Sequence, residues 1–247
     1  MRHDFSIGLL AIIAVTPCAN AQDPSADAVG KWLNDRVMSA AMADDRLGAM
    51  AANSEGTYRV VSLEDLDAPE AVKAQFRAEL RQRRGNGVVR VSGGTIPSIS
   101  ELLAGLPTKQ RSAGELRQRL PSAPSHLRGT ALAGAEVIGM EPSGALDGIR
   151  SSGLTRYFRV KDLGIVSFNE ENFRASGMTV ETFAEAQNVV VNGEPAQLDL
   201  YEDDQGRAQA ILAWASDGKA LRLTATGSGD AAQKGRAILS IASGIVD

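Results

Sequence analysis

A series of short apolar segments near the C-terminus constrains the fold more than any other feature of the sequence. The segments cover residues 188–191, 196–201, 208–214 and 220–226. Asn192-Gly193 and Asp217-Gly218 suit the positive φ angles of tight hairpin turns, and residues 203–206 form a longer turn sequence of similar composition. Leucines alternate with other residues along two of the segments, as expected when one face of a strand is buried. The pattern predicts an antiparallel meander.

Three more segments with β-strand composition precede the meander, and a helix follows it. These segments cover residues 135–140, 155–160 and 164–168. Residues 230–243 carry Ala237, Ile238 and Ile241 at helical spacing, and Ile245 completes the apolar stripe. We expect this C-terminal helix to cover the buried face of the meander.

The N-terminal half has the composition of helices. Helix starts are predicted at Ser25, Asp67, Ser98 and Ser112. The last two are each followed by glutamate three residues later, which is the pattern of a capping box. Two short β-like runs, at 58–63 and 88–92, alternate with these helices and are expected to pair into a small sheet. The predicted fold class is α+β: a helical N-terminal region with a small sheet, then an antiparallel β-meander covered by a C-terminal helix.

Composition divides the sequence into four regions. The first residues have a charged start, an apolar centre and the small residues Ala19 and Ala21, so we expect a signal peptide cleaved after Ala21 and export to the periplasm. A Pro- and Ser-rich stretch begins at Pro121 and resists both helix and strand, which indicates a linker. The predicted limits are 1–21 for the signal peptide, 22–120 for a mainly helical region, 121–129 for the linker and 130–247 for an antiparallel sheet domain with its C-terminal helix.

Cleavage would leave a chain with no cysteine and with one histidine, His126, because Cys18 and His3 lie in the signal peptide. Disulfides, cysteine nucleophiles and histidine-rich zinc sites are then excluded, and a Ser-His-Asp triad would have to use His126, for which a solvated linker position is expected. Residues 216–219 and 227–232 match short enzyme motifs, but the partner motifs are missing and both are interpreted as turns. We predict no cofactor, no metal and no enzymatic activity.

Acidic residues cluster at two places in the C-terminal half. The clusters contain Asp199, Glu202, Asp203 and Asp204, and Glu170 with Glu171. Paired carboxylates support glycoside hydrolysis or metal binding when they face one another. A solvated turn is the other interpretation of these clusters, and hydrolysis of cell-wall or glycan material is therefore kept as an alternative function.

A basic stretch in the N-terminal half is the candidate partner-binding face. It contains Lys73, Arg77, Arg81, Arg83, Arg84 and Arg90, against the single acidic residue Glu79. Guanidinium groups pair well with carboxylates and phosphates, so an acidic protein or an anionic envelope surface is the expected partner. A solvated helix face is the alternative. A net charge of −4 argues against nucleic acid, and no apolar run is long enough to predict a transmembrane span.

The last 60 or so residues resemble a recurring kind of bacterial extracytoplasmic domain. The resemblance rests on 191–196, 212–214, 217–219, 221–227 and the apolar final helix. In these positions the chain looks like the sheet-plus-helix domains of anti-sigma-type envelope regulators and of lipoprotein-carrier-like proteins. The resemblance implies that the domain senses a ligand or a partner.

These observations favour a periplasmic protein that binds another protein without catalysis. It would be either an immunity-type inhibitor that neutralises a toxin or a regulator that senses the state of the envelope. Two alternatives remain open at this point: a carboxylate-dependent hydrolase of cell-wall or glycan material, and a carrier of a lipophilic ligand enclosed by the sheet and helix.

Overall fold

The structure, a computed structural model, describes residues 11–12, 29–32, 34–35, 55–106, 112–144 and 150–246. Side chains are described over the same ranges except at 11–12 and 84–86. The chain divides into two compact units. The first comprises Met1–Arg81 and Phe173–Ala186, and the second comprises Gln82–Asn172 and Gln187–Asp247.

The described residues form eleven strands and five helices. The strands are β1 (Ala11–Ile12), β2 (Thr57–Val61), β3 (Val89–Val91), β4 (Glu136–Ser143), β5 (Gly153–Val160), β6 (Gly164–Asn172), β7 (Thr179–Phe183), β8 (Val189–Val191), β9 (Glu194–Asp203), β10 (Arg207–Ser216) and β11 (Lys219–Ser228). The helices are α1 (Glu70–Asn86), α2 (Ile99–Ala104), α3 (Ala113–Arg117), α4 (Phe173–Ser176) and α5 (Ala231–Ser243), with a 3₁₀ turn at Ala184–Ala186. The α+β class is confirmed.

The first unit contains a small parallel sheet in which β7 lies between β1 and β2. Its apolar core consists of Val29, Leu63, Leu66, Val72, Phe76, Phe183 and Ala186. The Phe76 ring is central, with its centroid 5.0 Å from that of Phe183 and 6.3 Å from that of Trp32. The Glu185 carboxylate accepts hydrogen bonds from the Leu63 backbone N–H and the Ser62 hydroxyl. Strand β7, which local sequence pattern did not predict, therefore completes this core.

The second unit contains an eight-stranded sheet, ordered β3-β9-β10-β11-β6-β5-β4, with β8 also paired to β9. Strand β3 is parallel to β9, and the other described pairs in this sheet are antiparallel. The tight turns form where they were predicted: Asn192 and Gly193 have φ of 51° and 92°, and Asp217 and Gly218 have φ of 46° and 83°. Asparagine, aspartate and glycine tolerate these angles best, which is why these dipeptides fix the register of the hairpins. The predicted C-terminal meander is confirmed.

Helix α5 lies on one face of this sheet, which we call the helix face. The helix contacts β8, β9, β10 and β11. Asp230 caps its N-terminus by accepting a hydrogen bond from the Gln233 N–H, and Ile238 and Ile241 are buried against strand residues such as Leu212 and Leu223. Period-two alternation in the strands and period-3.6 spacing in the helix place these apolar side chains on facing surfaces. The predicted cover of the meander by the C-terminal helix is confirmed.

Two predictions of organisation differ from the structure. The runs at 58–63 and 88–92 do not pair with each other, because β2 pairs with β7 and β3 pairs with β9. Both partners come from much later in the sequence, and local pattern carries no information about such distant pairing.

The limits of the two units also differ from the predicted domains. The stretch 121–129 lies within the second unit and is not a boundary between the two units, and residues 173–186 belong to the first unit although they follow β6. The side chain of Ser125 is buried, which a solvated linker residue would not be. The signal peptide and its cleavage after Ala21 stay predictions. No helix in the described part of the chain is long and apolar enough to cross a membrane.

Candidate functional site

A groove lies on the part of the helix face that α5 does not contact. It has a volume of about 460 Å³ and is lined by α3, by the segment 123–133 and by strands β4 and β5. Its walls are largely apolar and include Leu116, Leu132, Val137, Met140, Leu154 and Phe158. Four of these side chains are buried, whereas Met140 is half-buried and Val137 is 50% exposed. The groove is therefore open to solvent along an apolar wall.

The strands aim these side chains into the groove by two different means. In β5, Leu154, Arg156 and Phe158 are two residues apart, so regular alternation places all three on the helix face. In β4 the register shifts between Val137 and Gly139, so that Val137 pairs with Phe158 and Met140 pairs with Arg156. This bulge brings two side chains that are three residues apart onto one face, which an unbroken strand would not do.

Arg156 forms the polar floor of the groove. Its Nη2 atom donates to Glu170 Oε1 at 2.7 Å and to the carbonyl of Ser125 at 3.2 Å, and its guanidinium carbon lies 5.0 Å from the centroid of the Phe168 ring. The side chain is 13% exposed, and Nε has no hydrogen-bond partner among the described residues. Burial lowers the pKa of Arg156, and the nearby charge of Glu170 opposes this effect. The arginine is thus a largely buried cation at the edge of an apolar space.

A buried ionic network beneath this floor ties the segment around Ser125 to the sheet. Glu170 Oε2 accepts hydrogen bonds from both the backbone N–H and the hydroxyl of Ser125, each at 2.8 Å. Lys219 Nζ lies 3.1 Å from Ser125 Oγ and 3.7 Å from Glu170 Oε2, and it also donates to the carbonyl of Ala123. Because buried polar groups are costly unless paired, this network holds the segment in one position. One wall of the groove is positioned by it.

The remaining polar lining of the groove is basic. Arg117 and Arg128 are exposed, and so is His126, whose backbone pairs with that of Val246. None of the described residues that line the groove is acidic. The site therefore combines apolar walls with an excess of positive charge.

The predicted basic face is largely paired within the chain. Lys73 Nζ donates to the carbonyl of Glu64, and Arg77 forms ion pairs with the side chains of Glu64 and Glu70. Arg83 Nη1 lies 3.4 Å from Asp199 Oδ1, and Arg90 Nη2 lies 3.4 Å from Glu202 Oε2. Arg81 is exposed, and the side chain of Arg84 lies outside the described residues. Acidic residues from other parts of the sequence thus neutralise much of this charge, and binding of a partner by this face stays a prediction.

The predicted carboxylate clusters do not form a shared site. Glu170 and Glu171 are adjacent in β6 and therefore lie on opposite faces of the sheet. Asp203 accepts backbone hydrogen bonds from Gln205 and Arg207 within the hairpin turn, and Asp204 is exposed. No group of three or more metal-binding side chains occurs within the described ranges.

The sheet face opposite to α5 holds a second buried ionic group. Asp199 accepts a hydrogen bond from Gln197 at 2.6 Å and pairs with Arg83, and Arg222 lies on the same face. Burial raises the pKa of Asp199 and lowers the pKa of Arg222. The charge of each residue opposes this effect by favouring the ionised form of the other. Asp199 is bound by Gln197 and Arg83 within the chain, which is typical of a structural role.

Sequence reasoning missed the groove and its three central polar residues. Ser125 was placed in a linker, Lys219 in a turn, and Arg156 was not singled out. The residues 216–219 do form a hairpin turn, as predicted, but Lys219 extends from the end of that turn into the buried network. Alternation alone could have assigned Arg156 to the buried face between Leu154 and Phe158, which was the available signal.

No protein-family model, characterised protein or solved structure matches the chain, so the groove has to be interpreted from its own geometry.

Proposed function

We propose that the protein is a non-catalytic binding protein that holds a small lipophilic ligand in the groove between β4, β5 and the segment 123–133. The observation that carries the proposal is an open apolar space of about 460 Å³ on the helix face over β4 and β5, beside the strands on which α5 packs. Sites for small ligands are typically concave, largely apolar and within a volume range of roughly 300–1,000 Å³.

The construction of the groove supports a ligand site over a packing defect. A single exposed valine is common at a protein surface, but Val137 lies in the wall of a concave space that it shares with buried apolar residues such as Leu132 and Phe158. The ionic network of Ser125, Glu170 and Lys219 fixes the opposing segment, so the space is held open. A fixed, preformed cavity lowers the entropic cost of binding.

This function fits the localisation expected from the sequence and the resemblance of the C-terminal region. A periplasmic carrier would move a lipophilic molecule through an aqueous compartment. A periplasmic regulator would use occupancy of the same groove as its signal. The proposal is therefore compatible with the envelope-regulator hypothesis, with a small ligand as the sensed species.

The proposal is tested by titrating the purified full chain with N-phenylnaphthylamine, a neutral fluorophore whose emission rises in apolar surroundings. We expect saturable binding by the unmodified protein. In Val137→Trp the new indole would fill the groove, and the affinity is expected to fall by roughly tenfold or more, because a filled pocket loses its buried apolar contact area.

Val190→Trp is the matched control. Val190 is 65% exposed in β8 and does not line the groove, so the same substitution there is expected to leave binding unchanged. Absence of saturable binding to the folded unmodified protein, or equal losses in the two tryptophan variants, would overturn the proposal.

A further inference from the structure

The charges around the groove indicate which class of lipophilic ligand it takes. Three arginines line it, Arg117 and Arg128 at the exposed rim and Arg156 at the floor, together with His126. No acidic side chain lines the groove in the part of the chain that the structure describes. The molecule as a whole carries a net charge of −4, so this local excess of positive charge runs against its composition.

The rim arginines differ from the predicted basic face in how their charge is paired. No described acidic residue forms an ion pair with Arg117 or Arg128. The cations at the predicted basic face differ, since Arg77, Arg83 and Arg90 each pair with carboxylates of the chain. A guanidinium beside an apolar wall attracts an anion more strongly than one surrounded by water, because the low-polarity side of the site screens the charge less.

We propose that the groove selects an anionic amphiphile, a single aliphatic chain ending in a carboxylate or similar anionic head, with the head at Arg117 and Arg128 and the chain along the apolar walls. This inference rests on the proposed function, since it names the ligand class of the same groove. The apolar tail accounts for contact with Val137, Met140 and Phe158, and the head neutralises two arginines that have no acidic partner among the described residues.

The test compares three competitors that share one tail and differ in head charge: dodecanoate, dodecanol and dodecyltrimethylammonium. Each is used below its critical micelle concentration to displace N-phenylnaphthylamine from the full chain at low ionic strength. We expect dodecanoate to displace the fluorophore at a concentration roughly tenfold lower than dodecanol, which corresponds to two exposed charge contacts near the upper end of their usual strength. The cationic compound should be the weakest, and added salt should reduce the advantage of dodecanoate.

Two double variants test whether Arg117 and Arg128 cause the preference for an anionic head. Arg117→Gln/Arg128→Gln should weaken displacement by dodecanoate to the level of dodecanol and leave dodecanol unchanged. Both arginines are exposed, so the substitutions are not expected to disturb folding. Arg81→Gln/Arg236→Gln removes the same charge at two exposed positions outside the groove and should preserve the preference for dodecanoate.

The outcomes separate this inference from the proposed function. If the fluorophore binds and the three competitors displace it equally, or if none of them displaces it, the anionic preference is wrong and binding of a lipophilic ligand stands. Equal losses in the two double variants would show a general charge effect and overturn the assignment to Arg117 and Arg128. If the fluorophore itself does not bind to the folded protein, the proposed function fails, and the inference fails with it.

Discussion

Two parts of the helix face in the second unit are covered in opposite ways. Over β9, β10 and β11, helix α5 packs Ile238 and Ile241 onto an aliphatic surface. Over β4 and β5, the sheet faces short helix α3 and the irregular segment that follows it, and the open groove lies between them. The first part is closed by apolar packing, whereas the second is tied down by the ion pairs of Glu170 and contains open space.

The difference shows how one part of a sheet can stabilise the fold while another part of the same sheet forms a binding site. Close aliphatic packing is stabilising but leaves no room for a ligand. A wall held by a few directional polar contacts can stand away from the sheet, because hydrogen bonds and ion pairs fix its position without filling the space beside it. The cost is that the wall depends on a small number of buried groups, above all on one carboxylate.

The largest effect is expected for Glu170→Gln, which changes the carboxylate at the centre of the buried ionic network. The substitution leaves Arg156 and the buried Lys219 ammonium without the carboxylate between them, so we expect the free energy of unfolding to fall by about 3–5 kcal/mol. Denaturation in urea at neutral pH measures it. The adjacent Glu171 faces the other side of the sheet, where it accepts hydrogen bonds from the hydroxyls of Ser143 and Ser152.

Glu171→Gln keeps the acceptor oxygen of that residue and should change the free energy of unfolding by less than about 1 kcal/mol. Comparable losses in the two variants would contradict the special role of Glu170 in holding the groove wall.

The second prediction concerns the part covered by α5. Ile238 is fully buried between the helix and the sheet, so Ile238→Ala is expected to cost about 3 kcal/mol through lost burial and a residual cavity. Val137→Ala, in the groove wall, should cost less than about 1 kcal/mol because half of that side chain is already exposed. Urea denaturation of both variants is the measurement, and similar losses at the two positions would mean that the groove wall is as closely packed as the helix interface.

The sequence predicted the parts of the fold that depend on residues close together in the chain. It missed the parts that depend on residues far apart in the chain. The hairpins at Asn192-Gly193 and Asp217-Gly218, the capping boxes at Ser98 and Ser112, and the final helix depend on residues within a few positions of one another, and all were predicted. These signals are local because turn angles and helix caps are local.

Pairings between distant residues were not predictable in this way. The parallel pairing of β7 joins residues more than 100 positions apart, and the contact of Ser125 Oγ with Lys219 Nζ spans 94 positions. The segment around Ser125 forms one wall of the groove, and that network is one of the contacts that hold it at the sheet. A Pro- and Ser-rich composition is shared by solvated linkers and by ordered irregular segments, so composition alone could not distinguish them.

A third prediction concerns the pH dependence of Glu171, which lies on the face of β6 opposite to the groove. Burial raises the pKa of Glu171, opposed by hydrogen bonds from Ser152 and Ser143. Because the folded state then holds the proton more tightly than the unfolded state, the residue costs stability as the pH rises above about 4.5 and through its raised pKa. We expect the free energy of unfolding of the unmodified protein, relative to Glu171→Gln, to decline over that interval and then level off. A flat difference between pH about 4 and about 8 would contradict it.

The smallest effect is expected for a buried lysine within the part of the sheet that α5 covers. Lys234 of α5 is 2% exposed and donates a hydrogen bond to the carbonyl of Leu163 at 2.8 Å. Burial lowers the pKa of Lys234 below 10.5, so the unfolded state binds the proton more tightly than the folded state. Burying the ammonium therefore lowers the free energy of unfolding at neutral pH. As the pH rises through the lowered pKa towards 10.5, the folded state loses the proton first and this destabilisation disappears. The stability of the unmodified protein should therefore increase relative to Lys234→Met over this interval.

Lys161→Met replaces an exposed lysine of the β5–β6 turn and serves as the control. Thermal unfolding at a series of alkaline pH values should show a pH-dependent difference for Lys234→Met, with Lys161→Met as the matched loss of one exposed charge. A constant difference for both would mean that the Lys234 ammonium reaches water in the folded state. The packing of α5 on the sheet would then be looser at this position than at Ile238, and the contrast with the groove would rest on the aliphatic contacts alone.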